Sequence, residues 1–142
     1  ASMKAGQDIG LLFLDLDHFK SINDSLGHPA GDIVLQTVAA RLEAVVRDSD
    51  YVIRFGGDEF VIVCPGLADS GAAERLGDRL RKSVTQPIDV DGEPALVSAS
   101  IGVSLVQAGP DLDTEAAISR ADTAMYEAKA AGRNATVIAP LA

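Results

Sequence analysis

Tyr51-Val52-Ile53-Arg54-Phe55-Gly56-Gly57-Asp58-Glu59-Phe60-Val61-Ile62-Val63-Cys64 sets β-branched and aromatic residues on both sides of a Gly-Gly step. That is the composition of two strands joined by a tight turn, and the stretch reads as a β-hairpin. Gly56 and Gly57 can take positive φ and, lacking Cβ atoms, let a bulky ligand come close to the backbone. Asp58 and Glu59 then stand at the hairpin tip. Two such carboxylates repel each other unless a cation, a proton or solvent screens them. A divalent ion with bound phosphate is one solution, and a solvated acidic turn is the bland alternative.

A second acidic pair lies upstream. Ile9-Gly10-Leu11-Leu12-Phe13-Leu14-Asp15-Leu16-Asp17 is a near-continuous apolar run ending in two aspartates, as expected of a buried central strand with carboxylates at its C-terminal edge. Period-two geometry turns Asp15 and Asp17 to the same face. If this strand lies beside the hairpin, Asp15 meets Asp58 and Glu59 around hard cations such as Mg²⁺. Asp17, just before His18-Phe19-Lys20, suits an N-cap for the following helix. Asp15 is therefore assigned to metal and Asp17 to structure.

The rest of the chain alternates helices with strands. Ile33, Leu35, Val38, Ala39, Leu42, Val45 and Val46 recur at helical spacing after Gly31-Asp32, which places Asp32 near a helix N-terminus. Ala72 to Val84 marks a third helix, and Ala117 to Ala128 a fourth, opened by Asp113 or Thr114 as N-cap. Bulky Val97, Ala99, Ile101, Val103 and Leu105 alternate with Ser98, Ser100, Gly102 and Ser104, giving a strand with one bulky and one small face. Asp91-Gly92 is the expected hairpin tip joining Ile88–Val90 to that strand, and 135–139 forms a short last strand.

Composition bounds the function. With 142 residues, 47% hydrophobic and 23% charged, the chain suits one domain with a sound core and no disulfides. Cys64 is the single cysteine, and packing is its expected role. The net charge of −9 argues against general nucleic-acid or anionic-membrane binding, although a metal-bridged nucleotide escapes that objection. No run is long enough to span a bilayer as a helix, and no signal-peptide pattern is present.

Four ordered motifs carry a resemblance. They are Asp15-Leu-Asp-His-Phe-Lys-Ser-Ile-Asn-Asp24, Gly27-His-Pro-Ala-Gly-Asp32, Arg54-Phe-Gly-Gly-Asp-Glu-Phe60 and Lys129-Ala-Ala-Gly-Arg-Asn134. Together they resemble the GGDEF diguanylate cyclases over nearly the whole chain. The resemblance implies an α/β (α+β) fold with a palm-like, ferredoxin-like core: a central, mostly antiparallel sheet of about five strands flanked by helices. It also implies condensation of two GTP molecules into cyclic di-GMP by a homodimer, in the cytoplasm.

By motif position, Asp15, the backbone carbonyl of Leu16, Asp58 and Glu59 would hold two Mg²⁺ or Mn²⁺ ions, with Asp58 the first choice to remove the attacking proton. Asn23 and Asp32 match guanine-reading positions; a carboxylate accepts from guanine N1–H and N2–H₂, a donor pair that adenine lacks. His28, Gly56 and Gly57 match further substrate-side positions. Lys20, Lys129 and Arg133 match phosphate contacts, the last two at i, i+4, where an ordinary helix C-terminus would also carry cations. Arg47-Asp48-Ser49-Asp50 ends five residues ahead of Gly56, in register with a product-inhibition site. Arg79 and Arg81 are candidates for secondary contacts there.

One departure stands out. The family usually begins with a helix and an Asp-x-Leu-Thr-x-Leu-x-Asn-Arg element before the first strand, whereas only residues 1–8 precede it here. Residues 1–8 are expected to be flexible, and Ala1-Ser2-Met3 reads as a cloning remnant, which would make the chain a piece of a longer regulated protein. Two other functions remain open: a non-catalytic module that holds GTP or cyclic di-GMP, and a cyclase making a different nucleotide product.

Overall fold

The computed structural model describes residues 6–140. Its central element is β1 (Asp8–Asp17), antiparallel both to β3 (Glu59–Pro65) and to β6 (Ser98–Gln107). The edges are β2 (Tyr51–Arg54), antiparallel to β3, and β7 (Thr136–Ile138), parallel to β6, so the sheet order is β2-β3-β1-β6-β7. This is the five-stranded, mostly antiparallel α+β arrangement the sequence implied. Of the short leading segment, residues 1–5 lie outside the described part, while the Gly6 amide donates to the Ala108 carbonyl at 2.6 Å and Asp8 already belongs to β1.

Alternation along β1 divides the interior. Leu12, Leu14 and Leu16 face the larger core, where α2 (His28–Val45) contributes Val34, Val38 and Leu42 and α3 (Ser70–Val84) contributes Ala73, Leu80 and Val84. Phe13 faces the other way with Val61, against Ala121 and Met125 of α4 (Thr114–Ala130). The small face of β6 lies on this second side. At Gly102, opposite Phe13 in the β1–β6 register, an added Cβ would collide with the Ala121 carbonyl and the Met125 amide of α4. The alanine stripe of α4 and the Ser/Gly stripe of β6 thus permit close helix–sheet approach, which larger side chains would prevent.

Several boundaries differ from expectation. The second long helix begins at His28, four residues before Asp32, because Pro29 in its first turn lacks only an N–H that a helix start leaves unpaired anyway. A separate short helix, α1 (Phe19–Leu26), precedes it. Asp91 and Gly92, at φ 52° and 88°, do form a tight hairpin tip. The strand returning from it is β5 (Glu93–Ala95), however, paired with β4 (Ile88–Val90) in a ribbon of its own. Both edges of β6 are already occupied by β1 and β7, so the ribbon cannot join it. Asp113 is the N-cap of α4, accepting from the Ala116 amide at 3.1 Å.

Cys64 is buried in β3 and is a free thiol. Burial, followed by the negative charge of Asp50, pushes the thiol up to about 12. A thiol with that value holds only about 10⁻⁴ of its population as thiolate at pH 8, against roughly a quarter for an ordinary cysteine. A thiolate-trapping reagent at pH 8 is therefore expected to modify the native protein about a thousandfold more slowly than the denaturant-unfolded chain. Equal rates would contradict this packing.

Candidate active site

The register of β1 and β3 decides the site. Asp15 is the direct cross-strand partner of Glu59, so both side chains leave the same face of the sheet. The Leu16 amide donates to the Asp58 carbonyl at 3.2 Å, which draws the turn over the end of β1. Asp58 lies within interaction distance of the Asp15 carboxyl. Burial, then the Asp58 charge, push Asp15 up to about 7 against the opposing pull of Lys129, with Glu59 adding to the rise. Glu59 is also raised, by burial and by Asp58 and Asp122. The separated carboxylate pairs of the sequence thus converge.

The turn that carries Asp58 is not a two-residue β-turn. Phe55 and Gly56 both donate to the Glu59 carbonyl, at 2.8 and 3.4 Å, and Arg54 folds over the loop onto the Gly57 carbonyl at 2.8 Å. Neither Gly56 nor Gly57 takes positive φ, contrary to the sequence expectation, because a wider loop does not need that conformation. What matters at Gly56 is space, since a Cβ there would collide with the Glu59 carboxylate, while Gly57 has open space around it. Phe55 is exposed and meets Phe13 edge-on, with ring centroids 5.5 Å apart.

Asp17 is structural, but not as a helix cap. The cap position is His18, held at φ 61° with no side-chain bond to the helix. Asp17 instead points from β1 into a pocket of donors: Ser98 Oγ at 2.6 Å, Ser100 Oγ at 2.7 Å, the Asn134 amide at 3.1 Å and Lys129 Nζ at 3.2 Å. Burial alone would raise its carboxyl, but these hydrogen bonds outweigh it and hold the group below the usual carboxylate range. Lys129 Nζ also stands 3.7 Å from Asp15, confirming that the two aspartates share a face.

Asn23, His28 and Asp32 gather where α1 meets α2. The two helices are joined at Gly27, whose amide donates to the Asn23 carbonyl at 2.9 Å. Gly31 is buried beneath the Asn23 amide, and a Cβ there would strike it, so the Asn23 side chain is seated beside the position of Asp32. Asp32 and His28 are exposed on α2, as is Lys20 on α1. Arg133 follows α4 and is exposed.

Arg47 and Asp50 are not part of this cluster. They form a turn beside Pro65, at the opposite end of β3 from Glu59; six strand residues correspond to about 20 Å. Asp50 is turned inward, its side chain 3% exposed, accepting from the Arg47 amide at 2.9 Å and pairing with the Arg47 guanidinium at 3.4 Å. Arg47 itself is presented outward. Arg81 is occupied by Asp78, the Asn134 carbonyl and Thr136, and Arg79 by the Val45 carbonyl. Arg79 thereby lies exposed at the end of α2, two residues before Arg47, whereas Arg81 is tied to the 134–136 segment.

Asp122 was not singled out from sequence. It lies on the inner side of α4, shares a cleft with Phe13, Phe55 and Glu59, and has a buried Oδ1 with no hydrogen-bond partner among the described residues. Its spacing of seven from Lys129 puts both on one helix face, the signal that could have found it. Ser98 and Ser100 carried no such signal.

The donor chemistry at this site fits a hard divalent cation: carboxylate oxygens crowded enough that burial and mutual repulsion push Asp15 up. Among the described residues no three acidic, imidazole or thiol side chains form a finished metal cage. Mg²⁺ keeps several waters and commonly takes one or two carboxylates plus substrate phosphates, so it needs no such cage. No helix among the described residues is long and apolar enough to cross a membrane.

Comparison with known proteins agrees with the geometry. The family model described as "Diguanylate cyclase, GGDEF domain" matches residues 1–135. The chain is 41% identical to diguanylate cyclase DgcP of Pseudomonas aeruginosa, over 94% of this chain and 20% of that protein. It is 44% identical to the response regulator PleD of Caulobacter vibrioides, over 93% and 29%. It is also 43% identical to the cyclic di-GMP phosphodiesterase NbdA of P. aeruginosa, over 91% and 16%. It therefore spans a third or less of these relatives. Among solved structures, the GGDEF domain of TpbB (YfiN) from P. aeruginosa superposes with a TM-score of 0.86 at 42% identity, covering 96% of this chain and 84% of that one. The GGDEF domain of DgcB from Caulobacter crescentus, solved in complex with c-di-GMP, superposes with a TM-score of 0.84 at 30% identity, covering 93% and 78%. Sequence, register and fold thus agree, and the chain belongs to the GGDEF diguanylate cyclase family.

Proposed function

We propose that this domain condenses two GTP molecules into cyclic di-GMP, two copies facing each other with one GTP on each. In each half-reaction a ribose 3′-oxygen bonds to the α-phosphorus of the opposite GTP, the bond to pyrophosphate breaks, and the hydroxyl proton passes to a carboxylate. Supporting this reading above all is the cross-strand pairing of Asp15 with Glu59, with Asp58 drawn against them by the Leu16 amide.

Asp15, Asp58, Glu59 and the Leu16 carbonyl would hold two Mg²⁺ or Mn²⁺ ions, which supply charge neutralisation at the attacking and leaving oxygens. Asp58, in the turn, takes the 3′-hydroxyl proton. Asp32 accepts from guanine N1–H and N2–H₂, Asn23 reads the same base from α1, and His28 lies on the substrate side. Lys20, Lys129 and Arg133 hold the phosphates. At the far end of the sheet, Arg47 makes the outward contact with product, by phosphate or guanine Hoogsteen edge, and Asp50 braces it. A GTP substrate places the work in the cytoplasm.

The test is incubation with GTP and Mg²⁺ at high protein concentration, with chemical identification of the product. Cyclic di-GMP that disappears in Glu59→Gln is the expected result. Binding of GTP without turnover would point instead to a regulatory module, and an adenine-containing product from mixed ATP and GTP to a different cyclase.

A further inference from the structure

Building on that reading of the phosphate contacts, we propose that Asp17 is a positioning residue: it bolts the turn Lys129–Asn134 to the central strand so that Lys129 and Arg133 meet the triphosphate together. Its carboxylate is completely enclosed, with a side-chain exposure of 0%. Each oxygen takes two donors, one from β6 and the other from α4 or the turn that follows it. Oδ1 accepts from Ser100 and Lys129, and Oδ2 from Ser98 and the Asn134 amide.

A buried, fully paired carboxylate is weak evidence for stability, because well-packed apolar residues of similar volume often serve as well or better. What the charge adds is direction. Without Asp17 the Lys129 ammonium would keep on β1 only its longer, 3.7 Å contact with Asp15.

The turn itself needs such a hold. Gly132, Arg133 and Asn134 lie consecutively at φ 118°, 67° and 46°. Glycine adopts this region freely and asparagine tolerates it, but arginine does so only when its surroundings over-determine it. Three bonds do that here. The Arg133 amide donates to the Ala128 carbonyl at 3.1 Å, Arg81 donates to the Asn134 carbonyl at 3.0 Å, and the Asn134 amide donates to Asp17. The Arg133 guanidinium, by contrast, makes no hydrogen bond or ion pair among the described residues, and stands exposed beside a fixed backbone.

The experiment measures the affinity of the full chain for GMP, GDP and GTP by calorimetry, with Ca²⁺ replacing Mg²⁺ to suppress turnover. In the wild type, affinity rises with each added phosphate. Asp17→Asn is expected to cut the GTP-over-GMP preference about tenfold while leaving GMP affinity, set by Asn23 and Asp32, within about twofold. Ser98→Ala keeps the charge and removes one donor; it should move the preference the same way by a few fold, and it serves if Asp17→Asn fails to fold. Lys129→Met separates the two levels of the argument. If it collapses the preference while Asp17→Asn and Ser98→Ala leave it intact, Asp17 is only structural and the proposal is overturned. If Lys129→Met itself changes nothing, the phosphate reading fails and carries this proposal with it. A uniform loss across all three nucleotides in Asp17→Asn and Ser98→Ala likewise overturns it.

Discussion

Asp15→Asn is expected to lower the rate of cyclic di-GMP formation on the order of 10³-fold or more, equivalent to about 4 kcal/mol of transition-state stabilisation. The substitution preserves size and strand register but removes the carboxylate that joins the Asp58 turn to the Lys129 side of the site. The same variant should be more stable than wild type when no divalent ion is present. Burial and the Asp58 charge raise Asp15 from 3.8 to about 7, so its folded form holds a proton that the unfolded chain has released. For a group raised in this way the favourable contribution is complete below the unfolded value and is lost as pH rises through the folded one. Thermal melts of metal-free wild type should therefore lose midpoint between about pH 4 and 7 relative to Asp15→Asn. Adding Mg²⁺ should raise the midpoint of the wild type more than that of the variant. A variant that keeps wild-type turnover would remove Asp15 from the chemistry. Parallel melts across that pH range would show that its crowding does not weaken the fold.

The second large effect concerns stability alone. Gly102→Ala is expected to destabilise the domain by about 3 kcal/mol, and Gly102→Val to prevent folding, because the new atoms meet the backbone of α4 at Ala121 and Met125 rather than a side chain that could swing aside. Domains of this kind have only about 5–15 kcal/mol in total, so such a loss is large. Gly57→Ala is the control, having open space at its Cβ and no positive φ. It should leave the stability within about 0.5 kcal/mol of wild type, so any fall in turnover would report on ligand approach to the turn. An unchanged midpoint in Gly102→Ala would show that α4 can lift from β6 at little cost.

Features that depend on one strand's own periodicity were legible in the sequence. The apolar run before Asp15 identified β1 as central, alternation put Asp15 and Asp17 on one face, and the two faces of β6 were readable as bulky and small. Why one face is small was not legible, since that requires knowing that α4 lies on it. Asp17 was misassigned as a helix cap for the same kind of reason. Its partners come from residues 98 to 134, and only strand pairing brings Ser98 opposite it. The ribbon of β4 and β5 escaped because no local signal says that both edges of β6 are already taken. At the Gly-Gly turn, residue type indicated conformational freedom where the structure uses only room. The inward turn of Asp50 onto its neighbour's amide was equally invisible, because Arg-x-x-Asp spacing does not say which way a carboxylate faces.

β1 presents leucines to the larger core with one set of side chains and carries acidic groups with the other. Asp15 is thus mounted on a strand paired along both edges, opposite Glu59 on its neighbour, and a distortion that moved the two apart would have to disturb the interior as well. Under the proposed function, switching activity on and off by bending this pocket is therefore a poor option. For the proposed two-copy reaction, control by regulating how often the copies meet is the option this architecture leaves open.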